Sequence, residues 1–207
     1  VQDTPHQEIP DIADAADTID IIGVMPEIGS TVLVPAGNVH IGCNWTGPPI
    51  ELYCPDGTLP YHALYIDAFH IDVYEVTTGE YMDCIEAGGC SVPDVPYQSW
   101  LKFCTYYLPE SSLLPVNCVN WLQAGEFCAW KGARLCTNAE WEKAARCCDG
   151  RLFPWGDDFP TCAHAAVAQA DQPCGIDGPV PVGSYPNGVS PYGVHDMAGN
   201  LEEWASD

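Results

Sequence analysis

Basic side chains are nearly missing from this chain: six Lys and Arg stand against 29 Asp and Glu in 207 residues, a formal charge of −23. So acidic a chain repels a phosphate backbone or an anionic lipid surface rather than neutralising it, which argues against nucleic acid and membrane surfaces as partners. Long apolar runs are missing too, so no segment is expected to span a bilayer. The chain begins at Val1, with neither an initiator Met nor a charged-then-apolar leader, and is therefore expected to be a mature or trimmed form. Locally readable enzyme signatures are also absent: there is no G-x-S-x-G elbow, phosphate loop, H-E-x-x-H or G-x-G-x-x-G. The six histidines, His6, His40, His62, His70, His164 and His195, lack ligand spacing and are expected to be structural or surface residues.

Cysteine is plentiful, with twelve residues and no paired C-x2-C zinc spacing. That pattern favours disulfides and an oxidising compartment, so the protein is expected to be secreted, periplasmic or on the cell surface. Cys84 and Cys90 bracket a helix end and a Gly88-Gly89 turn and suit a short bridge, and Cys162 with Cys174 suits a second. The neighbours Cys147 and Cys148 cannot bond to one another without strain and are expected to face different partners.

At this length one core is the default. Residues 1–29 are acidic and without sustained period, and read as a disordered leader or linker, whereas 30–207 read as the folded domain. Val32-Leu33-Val34 and Val39-His40-Ile41 flank turn residues as a strand, turn, strand unit would. Leu64 to Val73 alternates as one half-buried strand, with Phe69, Ile71 and Val73 on one face. Three helix starts pair a capping side chain with an acid or amide three residues on: Thr77 with Glu80, Asn120 with Gln123, and Thr137 with Glu140. The second helix shows Trp121, Ala124 and Cys128 on one face and a stop at Gly132, and the third a stripe of Trp141, Ala144 and Ala145. Strands and helices do not alternate, so the expected class is α+β with much irregular structure, closed by disulfides. Asn44-Trp45-Thr46 is an N-glycosylation acceptor pattern, meaningful only in an organism with that pathway.

The stretch from Asp196 to Asp207 carries the sharpest chemical signal. Asp196 and Glu203 stand seven residues apart with Gly199 and Leu201 between them, so a tight loop can aim two carboxylates and two backbone carbonyls at one hard cation. Mixed oxygen donors of that kind suit calcium. Solvated acids on a surface turn are the alternative for so short a pattern.

Ordered blocks along the chain decide between these. Phe127-Cys128-Ala129-Trp130, Gly132-Ala133-Arg134-Leu135, Thr137-Asn138-Ala139-Glu140-Trp141-Glu142, Arg151-Leu152-Phe153-Pro154-Trp155-Gly156 and Tyr192-Gly193 through Trp204 resemble the formylglycine-generating enzymes, the sulfatase-modifying factor family. Val34-Pro35-Ala36-Gly37 and Ile71 through Thr77 agree with them. The resemblance implies a disulfide-containing fold related to C-type lectins. It also implies a calcium site on the Asp196 carboxylate, the Gly199 and Leu201 carbonyls and the Glu203 carboxylate, with Asp196 where some members have Asn. A second family site would fall between His164 and Pro179, with Asp177 its one candidate acid. Catalytic members bind copper(I) on two cysteines beyond the matched segment, and Cys128 corresponds to a cysteine whose disulfide partner also lies there. On that alignment the domain is truncated before its C-terminal part, and no residue of this chain is assigned a catalytic or cofactor-binding role.

Three functions follow as expectations. The first is a calcium-stabilised exported module, not catalytic in the form given, that holds a protein or peptide, with a sulfatase or a glycan among the candidates. The second is a copper-dependent oxidase that converts a sulfatase cysteine to formylglycine, its catalytic cysteines lying beyond residue 207. The third is a related iron or oxygen enzyme, which would need metal-binding histidines that are not found here.

Overall fold

The computed structural model describes residues 25–43, 61–93, 95, 102–166 and 178–207. The predicted leader up to residue 24, the Asn44 acceptor, Cys174 and Asp177 lie outside the described residues. Among the described residues four strands and three α-helices follow in order: β1 (Thr31–Val34), β2 (Gly37–Ile41), β3 (His62–Ile66), β4 (Phe69–Asp72), α1 (Thr78–Glu86), α2 (Trp121–Trp130) and α3 (Asn138–Arg146). Much of the rest of the described residues is turn and irregular chain, in keeping with the α+β expectation.

The strands near the start of the fold are where expected, but their pairing is not. β1 and β2 do not form a hairpin with each other. β1 lies antiparallel to β4, with Val34 opposite Phe69, and β2 lies antiparallel to β3, with Gly37 opposite Ile66. The single strand expected over Leu64 to Val73 is broken after Ile66, so that one part serves each sheet. The expected face is kept: Val73 is buried, and Phe69 and Ile71 pack on a core of Val34, Ala144, Ala145, Val194 and Met197.

All three capping boxes form. In each, the Thr77, Asn120 or Thr137 side chain accepts from the backbone N–H three residues on, and the Glu or Gln there reaches back to the cap N–H. Each box satisfies two N–H groups that the first helical turn would otherwise leave open. α2 is capped by Lys131 after Trp130, and Gly132 takes φ +76°, as its placement predicted. Its buried face is Gln123 and Phe127, which corrects the stripe expected from Trp121, Ala124 and Cys128. Trp121 is 44% exposed, and Ala124 and Cys128 line a cleft instead. Phe127 packs with Tyr81 and Cys84 of α1 in a second core.

Cross-links hold the irregular parts. Cys84 and Cys90 are bonded as expected, and Cys104 bonds Cys118. Cys43 and Cys162 are also in disulfides. Lys131 joins three elements by pairing with Asp72 at the end of β4 (3.1 Å) and Glu80 of α1 (3.4 Å) from the C-cap of α2. Gly188 lies so close to the 161–166 turn that a Cβ there would sit 1.9 Å from the His164 carbonyl oxygen.

The stripe on α3 contains one residue that hydropathy reading misses. Lys143 is 2% exposed, between Glu142 and the buried Ala144 and Ala145. Its ammonium donates to the carbonyls of Pro35 (2.6 Å), Ile66 (3.3 Å) and Gly37 (3.4 Å), so it joins α3 to both strands of the β2–β3 sheet. Burial lowers its pKa. Lys143→Met would keep the length of the stem and leave three carbonyls without this donor. We expect a loss of about 2–3 kcal/mol in unfolding free energy by urea titration; a neutral substitution would show that the carbonyls find other donors.

Candidate functional site

The loop that starts at Asp196, between the core residues Val194 and Met197, is shaped by backbone that few residue types accept. Asp196, Gly199 and Asn200 all have positive φ, at 58°, 102° and 62°. Asp, Gly and Asn are the side chains that tolerate that region. Three left-handed residues within five turn the chain sharply, and the four predicted ligand residues, Asp196, Gly199, Leu201 and Glu203, come to line one cavity of about 480 Å3. Trp141 and Asn138 of α3 form part of its wall.

The oxygens of this set are open. Asp196 Oδ2 accepts from the Gly183 N–H at 2.6 Å, which orients the carboxylate and leaves Oδ1. Among the described residues no donor is placed on the carbonyl oxygen of Gly199 or of Leu201. Glu203 exposes residue surface, but its carboxyl is turned inward, where burial pushes it up to about 7. The Trp141 indole N–H faces that carboxyl and opposes the rise, yet it is buried outside hydrogen-bonding geometry with any partner.

A third acid, Glu75, stands behind the loop and was not singled out from the sequence. Its Oε1 accepts from the Leu201 N–H (3.0 Å) and its Oε2 from Asn200 Nδ2 (2.6 Å). Asn200 Oδ1 in turn accepts from the Val180 N–H. Glu75 therefore fixes the Asn200–Leu201 peptide, the unit just before the one that carries the Leu201 carbonyl. Burial first, then the charges of Glu203 and Asp196, push Glu75 up to about 9, against the two hydrogen bonds. Burial raises Asp196 as well. The only local sequence cue was an acid among apolar residues just before the first capping box.

Among the described residues no protein cation balances these acids. Lys131, Arg134, Arg146 and Arg151 pair with other carboxylates, Lys143 is held by backbone carbonyls, and Lys102 lies over the Phe103 ring. His195 is not a substitute. It is 7% exposed, its ring lies 4.9 Å from that of Tyr74, and burial lowers its pKa. Among the described residues no three His, Cys, Asp or Glu side chains are grouped to hold an ion. The predicted set does not need three, since half of its donors are backbone carbonyls. Two carboxylates, two free carbonyls and no counter-charge fit a hard divalent cation with calcium's preference for oxygen.

A second, apolar cleft of about 610 Å3 shares the Leu201–Glu203 wall, with Val76, Tyr81, Phe127 and Cys128 opposite. The Trp204 indole N–H donates to the Val119 carbonyl, that of Trp121 donates to the Ala205 carbonyl, and Asp207 accepts from the N–H of Asn138 at the start of α3. These bonds secure the loop from its far side.

Residues 23–207 match the family of the sulfatase-modifying factor enzyme 1-like domain. Hercynine oxygenase of Mycolicibacterium smegmatis is 32% identical over 206 residues, covering 86% of this chain and 45% of its own. Formylglycine-generating enzyme of Bos taurus is 31% identical over 221 residues, covering 85% of this chain and 57% of its own. The chain thus spans about half the length of these relatives. PvdO from Pseudomonas aeruginosa superposes with a TM-score of 0.69 at 27% identity, over 86% of this chain and 70% of its own.

Because all three acids are raised, the folded state without a bound cation holds more protons than the unfolded chain, from the ordinary carboxylate range up to about pH 9. Stability of the cation-free protein should fall as pH rises through that window, by up to ~1.4 kcal/mol per pH unit for each group. Glu203 completes its change near 7 and Glu75 near 9, so Glu75→Gln should flatten the slope above neutrality. Urea titrations in chelator at several pH values would check this, and an unaltered slope would remove Glu75 from the account.

Proposed function

Since the chain belongs to the sulfatase-modifying factor family, we propose that it is a calcium-stabilised, exported member that holds a protein or peptide and is not catalytic in the form given. The observation that carries the calcium reading is the loop at Asp196–Glu203, which gathers open oxygens around one cavity with no cation among the described residues to balance them. Calcium would be held by the Asp196 and Glu203 carboxylates and the Gly199 and Leu201 carbonyls, with Glu75 and the Gly183 N–H orienting that set. The ion would replace the lost hydration of the acids and fasten the loop to α3.

Export is supported by the disulfides Cys84–Cys90 and Cys104–Cys118 and by the bonded Cys43 and Cys162, which persist in oxidising surroundings. Among the described residues no helix is long and apolar enough to cross a membrane. The partner class, a protein or peptide with a sulfatase or glycan among the candidates, is supported by the apolar cleft beside the loop. The name of the bovine relative points the same way.

A second reading is favoured by the same relative: a copper-dependent oxidase that converts a sulfatase cysteine to formylglycine. Copper(I) would supply oxygen activation on two soft thiolates, and no residue of this chain is assigned to hold it.

Two measurements separate these readings. Calcium should raise the melting temperature of the protein over its value in chelator, and Glu203→Ala should abolish the increment while leaving the value in chelator at or above wild type, because the buried carboxyl is gone. At a hundredfold excess over Kd the wild-type gain is ~2.7 kcal/mol; equal increments in both proteins would reject the site. Incubated with copper(I), oxygen and a cysteine peptide, the chain should leave the peptide unchanged, and an aldehyde product by mass would establish the oxidase instead.

A further inference from the structure

Cys147 and Cys148 were expected to face different partners, and the structure corrects this. Their sulfurs lie 3.0 Å apart, and neither is in a disulfide. The pair sits where α3 stops. Cys147 is the C-cap, its N–H donates to the Lys143 carbonyl at 2.9 Å, and its backbone turns to φ 56°, ψ −136°. That conformation is uncommon for a residue with a Cβ and persists only where neighbours enforce it. Here it swings the next residue back, so that the two side chains meet instead of diverging. The Cys147 thiol also donates to the Tyr192 hydroxyl at 3.3 Å, and Tyr192 packs on the Val194–Met197 core.

The surroundings are those of an accessible pair. Cys148 is exposed and Cys147 half-buried. The other free thiols among the described residues, Cys128 and Cys136, belong to α2 and the segment following it. Arg151 lies nearby, held by Asp149 at 2.6 Å. Burial and the Cys147 thiol both push the Cys148 thiol up, in keeping with a resting dithiol.

We propose that Cys147 and Cys148 form a redox-active vicinal pair that closes to a ring disulfide by exchange with a small-molecule disulfide. The exposed Cys148 thiolate attacks one sulfur of that disulfide, forming a mixed disulfide and expelling one thiolate. The Cys147 thiolate then attacks Cys148 Sγ, closes the Cys147–Cys148 bond and expels the second. The two protein thiol protons end on the two expelled thiols, and two electrons pass from the pair to the small-molecule disulfide. Adjacent residues keep their Cα atoms closer, at ~3.8 Å or less, than an unstrained bridge prefers. Such a ring is readily reduced again, which suits a reversible pair and not a structural one.

The test is differential alkylation of the native chain after equilibration in glutathione buffers of rising oxidised fraction, followed by peptide mapping. The expected result is a peptide spanning residues 147 and 148 that is lighter by two hydrogens and loses both alkyl labels together. The variants Cys147→Ser and Cys148→Ser should each carry one glutathione on the remaining thiol. Two glutathiones on the wild-type peptide, linkage to Cys128 or Cys136, or full labelling at every ratio would overturn the proposal. Phenylarsine oxide, which bridges two neighbouring thiols, gives a check on the wild-type protein that needs no variant. One equivalent should block alkylation of both residues, and labelling of both in its presence would count against the pair.

Discussion

The carboxyl of Glu75 bonds to Asn200 and Leu201 across 125 and 126 residues of sequence, and the arrangement of the Asp196–Glu203 loop depends on it. It reaches them from the short segment between Val73, which closes the strand face, and Thr77, which caps α1. That segment is itself fixed on both sides. The Val73 carbonyl accepts from the His195 N–H, and the Val76 carbonyl accepts from the Val116 N–H. One acid thereby sets the loop relative to the sheet, α1 and the segment before α2. Its burial beside two further carboxylates is unfavourable unless positive charge arrives, so the order of this region is tied to its electrostatics.

Lys143 plays the complementary part on the other side of α3. It is a buried cation held by backbone carbonyls, where Glu75 is a buried acid held by N–H groups. α3 lies between these two regions. Ala144 and Ala145 pack on Val34, Val194 and Met197, while Trp141 and Asn138 line the loop cavity. A helix of nine residues is short for independent stability. Its capping box, the Arg134–Glu140 pair and the Lys143 contacts compensate for that length.

Local signals in the sequence carried over well. The three capping boxes each rest on residues three apart, and Cys84 with Cys90 on residues six apart, so a short window contains the whole interaction. The positions of β1 and β2 were legible for the same reason. Their partners were not, because Val34 meets Phe69 and Gly37 meets Ile66 through pairings that no local window displays. Lys143 escaped because a charged residue in an amphipathic helix reads as solvent-facing, and here three carbonyls form its solvation shell. The face of α2 was misjudged because Trp121 is large and apolar, yet its indole is drawn toward the Ala205 carbonyl. The four loop residues were found through spacing and family resemblance. Glu75 was not, since its role is visible only once residues 75 and 201 are neighbours. The vicinal cysteines were misread because the turn at Cys147 overrides the divergence of successive side chains.

Gly188 imposes one more restriction. With the His164 carbonyl only 1.9 Å from where its Cβ would be, even alanine is a clash with backbone and not with a movable side chain. The 161–166 turn and the 186–188 turn are therefore locked as a pair. Between these turns Val180 and Gly183 donate to the side chains of Asn200 and Asp196, so replacement of a single hydrogen at position 188 would be felt in the Asp196 loop through the segment that holds it.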